Sequence, residues 1–237
     1  PIRARGGIQL EGVSKTGFAK LDQICEDVAQ AVDGAEIIFV VLPAFAHAYV
    51  AQELAGCLVD GQTVVVCPGA TGGALEFRAI WDRAGCRSKV RLCETNSLFY
   101  AARAQDAVAT ISGVKDELSL AALPAQDTQA IIDDLSDVYP QLIPAANVLE
   151  TSLNNMNTVV HPLPVLLNAG SIERGEKFRH YFDGITPAVG EVVEQMDQER
   201  VAVGRAYGLD ILSLRDAYIH YYHVQAEKMS DLCHMSQ

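Results

Sequence analysis

Asn157 and His161 stand four residues apart in the stretch SLNNMNTVVHPLPVLLNAG, residues 152–170. Imidazole gives and takes a proton near neutral pH unaided, and an amide one helical turn away can orient the ring or a bound ligand. A helix selected only for stability would not look like this. Asn154, Asn155 and Asn157 are modest helix formers, and Pro162 and Pro164 interrupt a helix interior. Read as a helix over 152–161, the stretch puts Asn157 and His161 on one face, and a kink at Pro162 aims that turn into a cleft. Spacing alone leaves two readings of the pair open: general acid–base chemistry and a satisfied core histidine.

Other candidates are weaker. His47, in PAFAH, falls at a strand's carboxyl end near a helix N-terminus and reads as a capping or surface residue. His220 and His223, spaced i, i+3 with Asp216 one turn earlier, lack a fourth ligand, so no metal site is expected. The glycines of GATGG (69–73) are open to two readings, a tight turn feeding a helix and a loop that lets backbone approach a ligand. The GxGxxG of a dinucleotide-binding first turn does not occur in the 237 residues.

The elements that must carry these residues alternate. AEIIFVVLPA (35–44) reads as a buried strand and HAYVAQELAGCL as a helix. DGQTVVVCPGATGGALEF then gives a strand over Thr63–Cys67, a glycine-rich loop and a helix through Trp81. SKVRLCETNSL supplies a third strand, AVATIS a fourth and SLAALP a fifth, before a helix near 126–138. That order predicts an α/β fold, a partial Rossmann-type parallel sheet. Ligands in such sheets bind beyond the carboxyl ends of the strands, here Leu42, Pro43 and Ala44, then Pro68 and Gly69, then Thr95 and Asn96. Past residue 150 apolar positions recur at helical spacing, so the expected division is residues 1–150 (sheet domain) and 151–237 (all-α domain).

Composition excludes some partners. A net charge of −12, from 30 acidic and 18 basic side chains, argues against nucleic acid or an anionic membrane surface. The longest apolar run, IIFVVLPAFA, is too short to span a bilayer. Six cysteines without a CxxC pair read as buried thiols of a reducing compartment, so a cytoplasmic protein is expected.

Several segments together resemble the NAD/NADP octopine/nopaline (opine) dehydrogenase family. They are AEIIFVVLPAFAH, DGQTVVVCPGATGGALEF, ETNSLFYAAR, LPAQDT, NVLETSLNNMNTVVHP, NAGSIERGEKFRHYFDGITPAV and MDQERVAVGRAYGLD, in the family's order from about residue 24 to 212. The resemblance implies a Rossmann-type NAD(P) domain followed by an α-helical domain of the 6-phosphogluconate-dehydrogenase C-terminal type. It implies reductive condensation of an amino acid with a 2-oxo acid such as pyruvate, using NAD or NADP, and it is compatible with a homodimer. The family's catalytic histidine falls on His161 and its asparagine on Asn157. Its substrate sits between the two domains. The residues at the carboxyl ends of the strands would then be cofactor-binding. Arg103, Arg174 and Arg179 are the cations available for substrate carboxylates.

By the same resemblance, the dinucleotide fingerprint is expected upstream of Pro1 and the aspartate partner of the histidine downstream of Gln237, so the chain reads as part of a longer enzyme. Two rival readings stay open. One is another reductase on the same plan, ketopantoate-reductase-like or glycerol-3-phosphate-dehydrogenase-like, which would bring a lysine to the site. The other is a non-catalytic interaction module that kept the fold.

Overall fold

A computed structural model describes residues 1–235, which form two compact units that meet in sequence between Thr151 and Ser152.

The first unit is built on a five-stranded sheet in the order β3-β4-β5-β8-β9, with β3 Ile37–Val40, β4 Thr63–Val66, β5 Arg91–Thr95, β8 Leu118–Leu123 and β9 Leu142–Pro144. β4 is a run of β-branched residues buried on both faces, as a central parallel strand requires. Val64 and Val66 face one core, beneath helices α3 (His47–Ala55) and α4 (Gly73–Ala84); Val65 and Cys67 face the other, beneath α5 (Thr128–Leu135). α4 presents Ala74, Phe77 and Trp81 along one stripe. The Trp81 indole N–H reaches the Ala51 carbonyl at 3.0 Å and fixes α4 against α3.

The sheet is only partly parallel. β3, β4 and β5 are parallel, as expected, but β8 runs antiparallel to β5. The chain leaves β5 through two strands, β6 Tyr100–Gln105 and β7 Val108–Val114, rather than through a crossover helix, so it returns in the opposite sense. AVATIS therefore belongs to a second, four-stranded sheet, order β2-β1-β7-β6, which β1 (Gly7–Gly12) and β2 (Gly17–Lys20) complete. Periodicity did not expose that sheet because its strands are short, glycine-bounded and half exposed. Two short helices, α1 Ile2–Arg5 and α2 Val28–Val32, and the start of α6 also belong to this unit.

The second unit contains helices and no strand among the described residues. α6 (Val148–Leu153) runs across the boundary, and α7 (Asn157–Val160), α8 (Pro162–Leu167) and α9 (Ala169–Glu173) follow as single turns or little more. The longest helix, α10 (Pro187–Ala206), starts with Thr186 as N-cap and proline at its first position, and α11 (Leu214–Tyr222) starts with Ser213 capping Asp216. α12 (Met229–Met235) packs on both α10 and α11. Val159, Val160, Ile185, Val193, Leu214 and Leu232 form the core.

The continuous helix expected over 152–161 is absent. The helical run stops at Leu153 because the next two asparagines bond outside it. Asn154 Oδ1 accepts from the Leu212 N–H at 3.1 Å, and Asn155 Oδ1 accepts from the Asn157 N–H at 3.0 Å. Pro162 does not kink a helix; it opens α8 at a position where its missing N–H costs nothing.

Candidate active site

His161 ends α7 and begins α8, half-buried, with its N–H on the carbonyl of Asn157 at 3.3 Å. The two expected residues are thus one turn apart, although the helix joining them is only that turn long. The Asn157 side chain is exposed. Sequence reasoning passed over what lies on the ring. Tyr181 places its hydroxyl 2.8 Å from His161 Nε2, and the His180 ring stands edge-on to His161 with centroids 5.5 Å apart. His180 Nε2 in turn bonds the Val160 carbonyl at 2.9 Å. A carbonyl only accepts, so His180 carries its proton on Nε2. Two consecutive residues, 180 and 181, therefore clamp two consecutive residues, 160 and 161.

The turn that delivers this pair is itself tied down. The Asp183 carboxylate accepts from the Arg179 N–H at 2.7 Å and from its Nε at 3.3 Å, and the guanidinium lies over Phe182. Asn168 Nδ2 donates to the carbonyls of Gly184 and Pro164. Arg179 is thereby committed to its own turn and Arg174 to Glu176, while Arg103 lies on the exposed strand β6. Burial, and then the neighbouring His180, push the His161 imidazole pKa below its ordinary value.

Beneath α7, Asp197 and Arg200 of α10 form a buried ion pair at 2.6 Å. Arg200 also donates to the carbonyls of Leu153 and Leu212, and Asp197 accepts from the Leu214 N–H. One salt bridge thus pins the end of α6 and the start of α11, the segments on either side of Asn154. Its only trace in the sequence was the acidic-basic pair inside an apolar helix stripe.

In the first unit the expected ligand-facing residues lie at the carboxyl ends of β3, β4 and β5. The Gly69 N–H donates to the Thr95 carbonyl at 2.9 Å, joining two of those ends, and Thr95 Oγ1 closes onto Ser97. The Leu42 carbonyl, before Pro43 and Ala44, accepts from Nε2 of His47, which is buried rather than a surface residue. Asn96 is 6% exposed, and its Oδ1 is buried without a hydrogen-bond partner. Pro68 precedes Gly69 in the loop, where Ala70 and Gly72 adopt left-handed backbone.

The glycine-rich loop encloses a carboxyl group of its own. The side chain of Glu94, fully buried, accepts from the Ala74 N–H at 2.7 Å at the start of α4, and any side chain on Gly69 would overlap it. An acidic residue inside LCET was the signal for this.

Residues 144–237 match the sequence model described as NAD/NADP octopine/nopaline dehydrogenase, alpha-helical domain. Over 93% of its length the chain is 39% identical to an opine dehydrogenase of Arthrobacter sp. (strain 1C). The chain is thus similar to the octopine/nopaline dehydrogenases along most of its length. It spans 62% of the length of that relative. Its fold is that of octopine dehydrogenase solved with NADH and L-arginine, with a TM-score of 0.73 at 20% identity over 98% of this chain and 63% of that one. Yersinopine dehydrogenase solved with NADP+ superposes with a TM-score of 0.76 at 18% identity, over 89% and 55% of the two chains. For an octopine/nopaline dehydrogenase relative, the His161 turn lies inside the matched helical domain.

Proposed function

We propose that this chain is part of an opine dehydrogenase, which condenses the amine of an amino acid with a 2-oxo acid such as pyruvate and reduces the imine with NADH or NADPH. The observation that carries this reading is His161, half-buried, ring-clamped and one turn after Asn157, within the region matched by the family's helical domain.

The edge of the sheet fits a dinucleotide in one respect of its own. Asn96 offers a buried, unpaired amide oxygen at the carboxyl end of β5 to an N–H donor. Leu42, Pro43, Ala44, Pro68, Gly69, Thr95 and Asn96 would hold the cofactor there, and bound NADH or NADPH supplies the hydride. His161 handles the protons. As imidazolium it protonates the hydroxyl of the carbinolamine, so that the C–O bond breaks and water departs. As neutral imidazole it takes a proton from the secondary amine in the reverse reaction. Its lowered pKa favours the neutral form near pH 7. Asn157 orients substrate or ring without exchanging protons. The enzyme would work in the cytoplasm.

The test is turnover of the full-length protein with a panel of amino acids, pyruvate and each reduced nicotinamide, followed by absorbance and mass spectrometry. A secondary-amine dicarboxylate as product supports the reading. Reduction of a 2-oxo acid with no amino acid incorporated would replace it with a ketopantoate-reductase-like activity.

A further inference from the structure

We propose that Tyr181 is the positioning residue of His161, its phenolic hydroxyl donating to Nε2 and holding the neutral imidazole as the Nδ1–H tautomer. The inference rests on the proposed acid–base role of His161 only for its catalytic consequence; the hydrogen bond and its direction stand without it.

The distance between the Tyr181 hydroxyl and Nε2, 2.8 Å, is that of a good hydrogen bond. Either partner could donate. A phenol loses its proton near pH 10 and is the stronger donor, whereas the lone pair of a neutral imidazole is a stronger acceptor than a phenol oxygen. The O–H···N arrangement is therefore the favoured one, and the ring's own proton goes to Nδ1. When His161 is protonated, Nε2–H turns to donate to the same oxygen, so the contact survives both states and the ring keeps its orientation.

The neighbours reinforce that direction. His180, the adjacent imidazole, spends its Nε2–H on the Val160 carbonyl, which leaves that proton committed to the backbone. Asn168 and Asp183 fix the turn carrying Tyr181, so the hydroxyl is held by backbone anchors. Tyr218 and Cys233 belong to the core of the same unit, and burial raises the pKa of both, keeping them neutral. In this tautomer the lone pair that takes a proton is the one on Nε2, so the Tyr181 hydroxyl marks the point at which the ring is protonated and holds the ring in one orientation before substrate arrives.

Long-range nitrogen–proton NMR of the histidine rings in the 237-residue chain, above the imidazole titration, reads the tautomer directly. His161→Gln assigns the signals by deleting them. The wild-type ring should show a bare Nε2 and a protonated Nδ1. Tyr181→Phe should return it toward the Nε2–H form that free imidazole side chains favour, and His180→Gln should leave it unchanged. A wild-type His161 protonated on Nε2, or a Tyr181→Phe ring with its tautomer unaltered, overturns the proposal, and the wild-type spectrum decides even if the variant does not fold. In the full-length enzyme Tyr181→Phe should lower kcat by roughly 10–100-fold with KM nearly unchanged; an unchanged kcat overturns the positioning role. Should no opine synthesis be found in the wild type, the ring spectra still test the hydrogen bond, which separates the two failures.

Discussion

Glu94 and Thr151, 57 residues apart in sequence, share a 2.6 Å hydrogen bond within the first unit, the threonine hydroxyl donating to Oε1 of the carboxylate. The other oxygen caps α4 through Ala74. Glu94, near the carboxyl end of the central strand, thus ties three segments, β5, the start of α4 and α6, into one polar cluster.

Glu94→Leu should destabilise the first unit by about 1–3 kcal/mol, because the buried Ala74 N–H loses its acceptor. Thr151→Val removes one partner and should cost a similar amount. Chemical denaturation of the chain measures both, and a Glu94→Leu midpoint equal to wild type would show that the cluster carries no stability.

Arg200→Met should be the most damaging single change in the helical unit. It leaves Asp197 buried and without its cation and frees the Leu153 and Leu212 carbonyls, at a cost of about 3–5 kcal/mol. Replacing both members with apolar residues should recover part of that loss, since the second charge goes with the first. Thermal melting of the two single variants and the double variant closes the cycle.

Asn155 and Asn157 should separate cleanly. Asn155 is buried and accepts from the backbone, so Asn155→Ala should cost about 1–3 kcal/mol. The exposed Asn157 side chain should be replaceable by alanine within about 0.5 kcal/mol. If Asn157 orients substrate, Asn157→Ala lowers kcat/KM in the full-length enzyme and leaves the pH limb of His161 in place. A destabilised Asn157→Ala with normal turnover per folded molecule would remove that role.

Stability should fall in mild acid through His161. Its folded pKa lies below the unfolded value near 6.5, so the unfolded chain takes up the proton first. The full contribution is present above about pH 6.5, declines as pH falls into the window beneath it, and is lost below the folded pKa. His161→Gln should flatten that part of the profile in denaturation midpoints taken across the window. An identical slope in the variant would assign the acid sensitivity to other groups.

The alternating strands of the first unit were legible because β-branched runs such as TVVV and the glycines that end α3 and α4 are local signals. So was His161, whose departure from good helix chemistry marked it in one dimension. Tyr181, His180, Arg200 and Glu94 were not, because each acts on a partner 20 or more residues away, or through a backbone carbonyl that no side-chain pattern records. The antiparallel β8 was illegible for a related reason. Strand direction depends on the path between strands, and the β6–β7 excursion has the same local periodicity as a strand of the main sheet.

The pairing of β1 with β7, Gln9 opposite Val108, is parallel and joins residues about a hundred positions apart. On a ribosome adding about 5–20 residues per second, β1 emerges about 5–20 s before the strand that will flank it. During that wait the β1–β2 hairpin lacks the strand that flanks it here, and a two-stranded hairpin is at best marginally stable. The β1–β2 hairpin therefore stays without its flanking strand until β7 has been made.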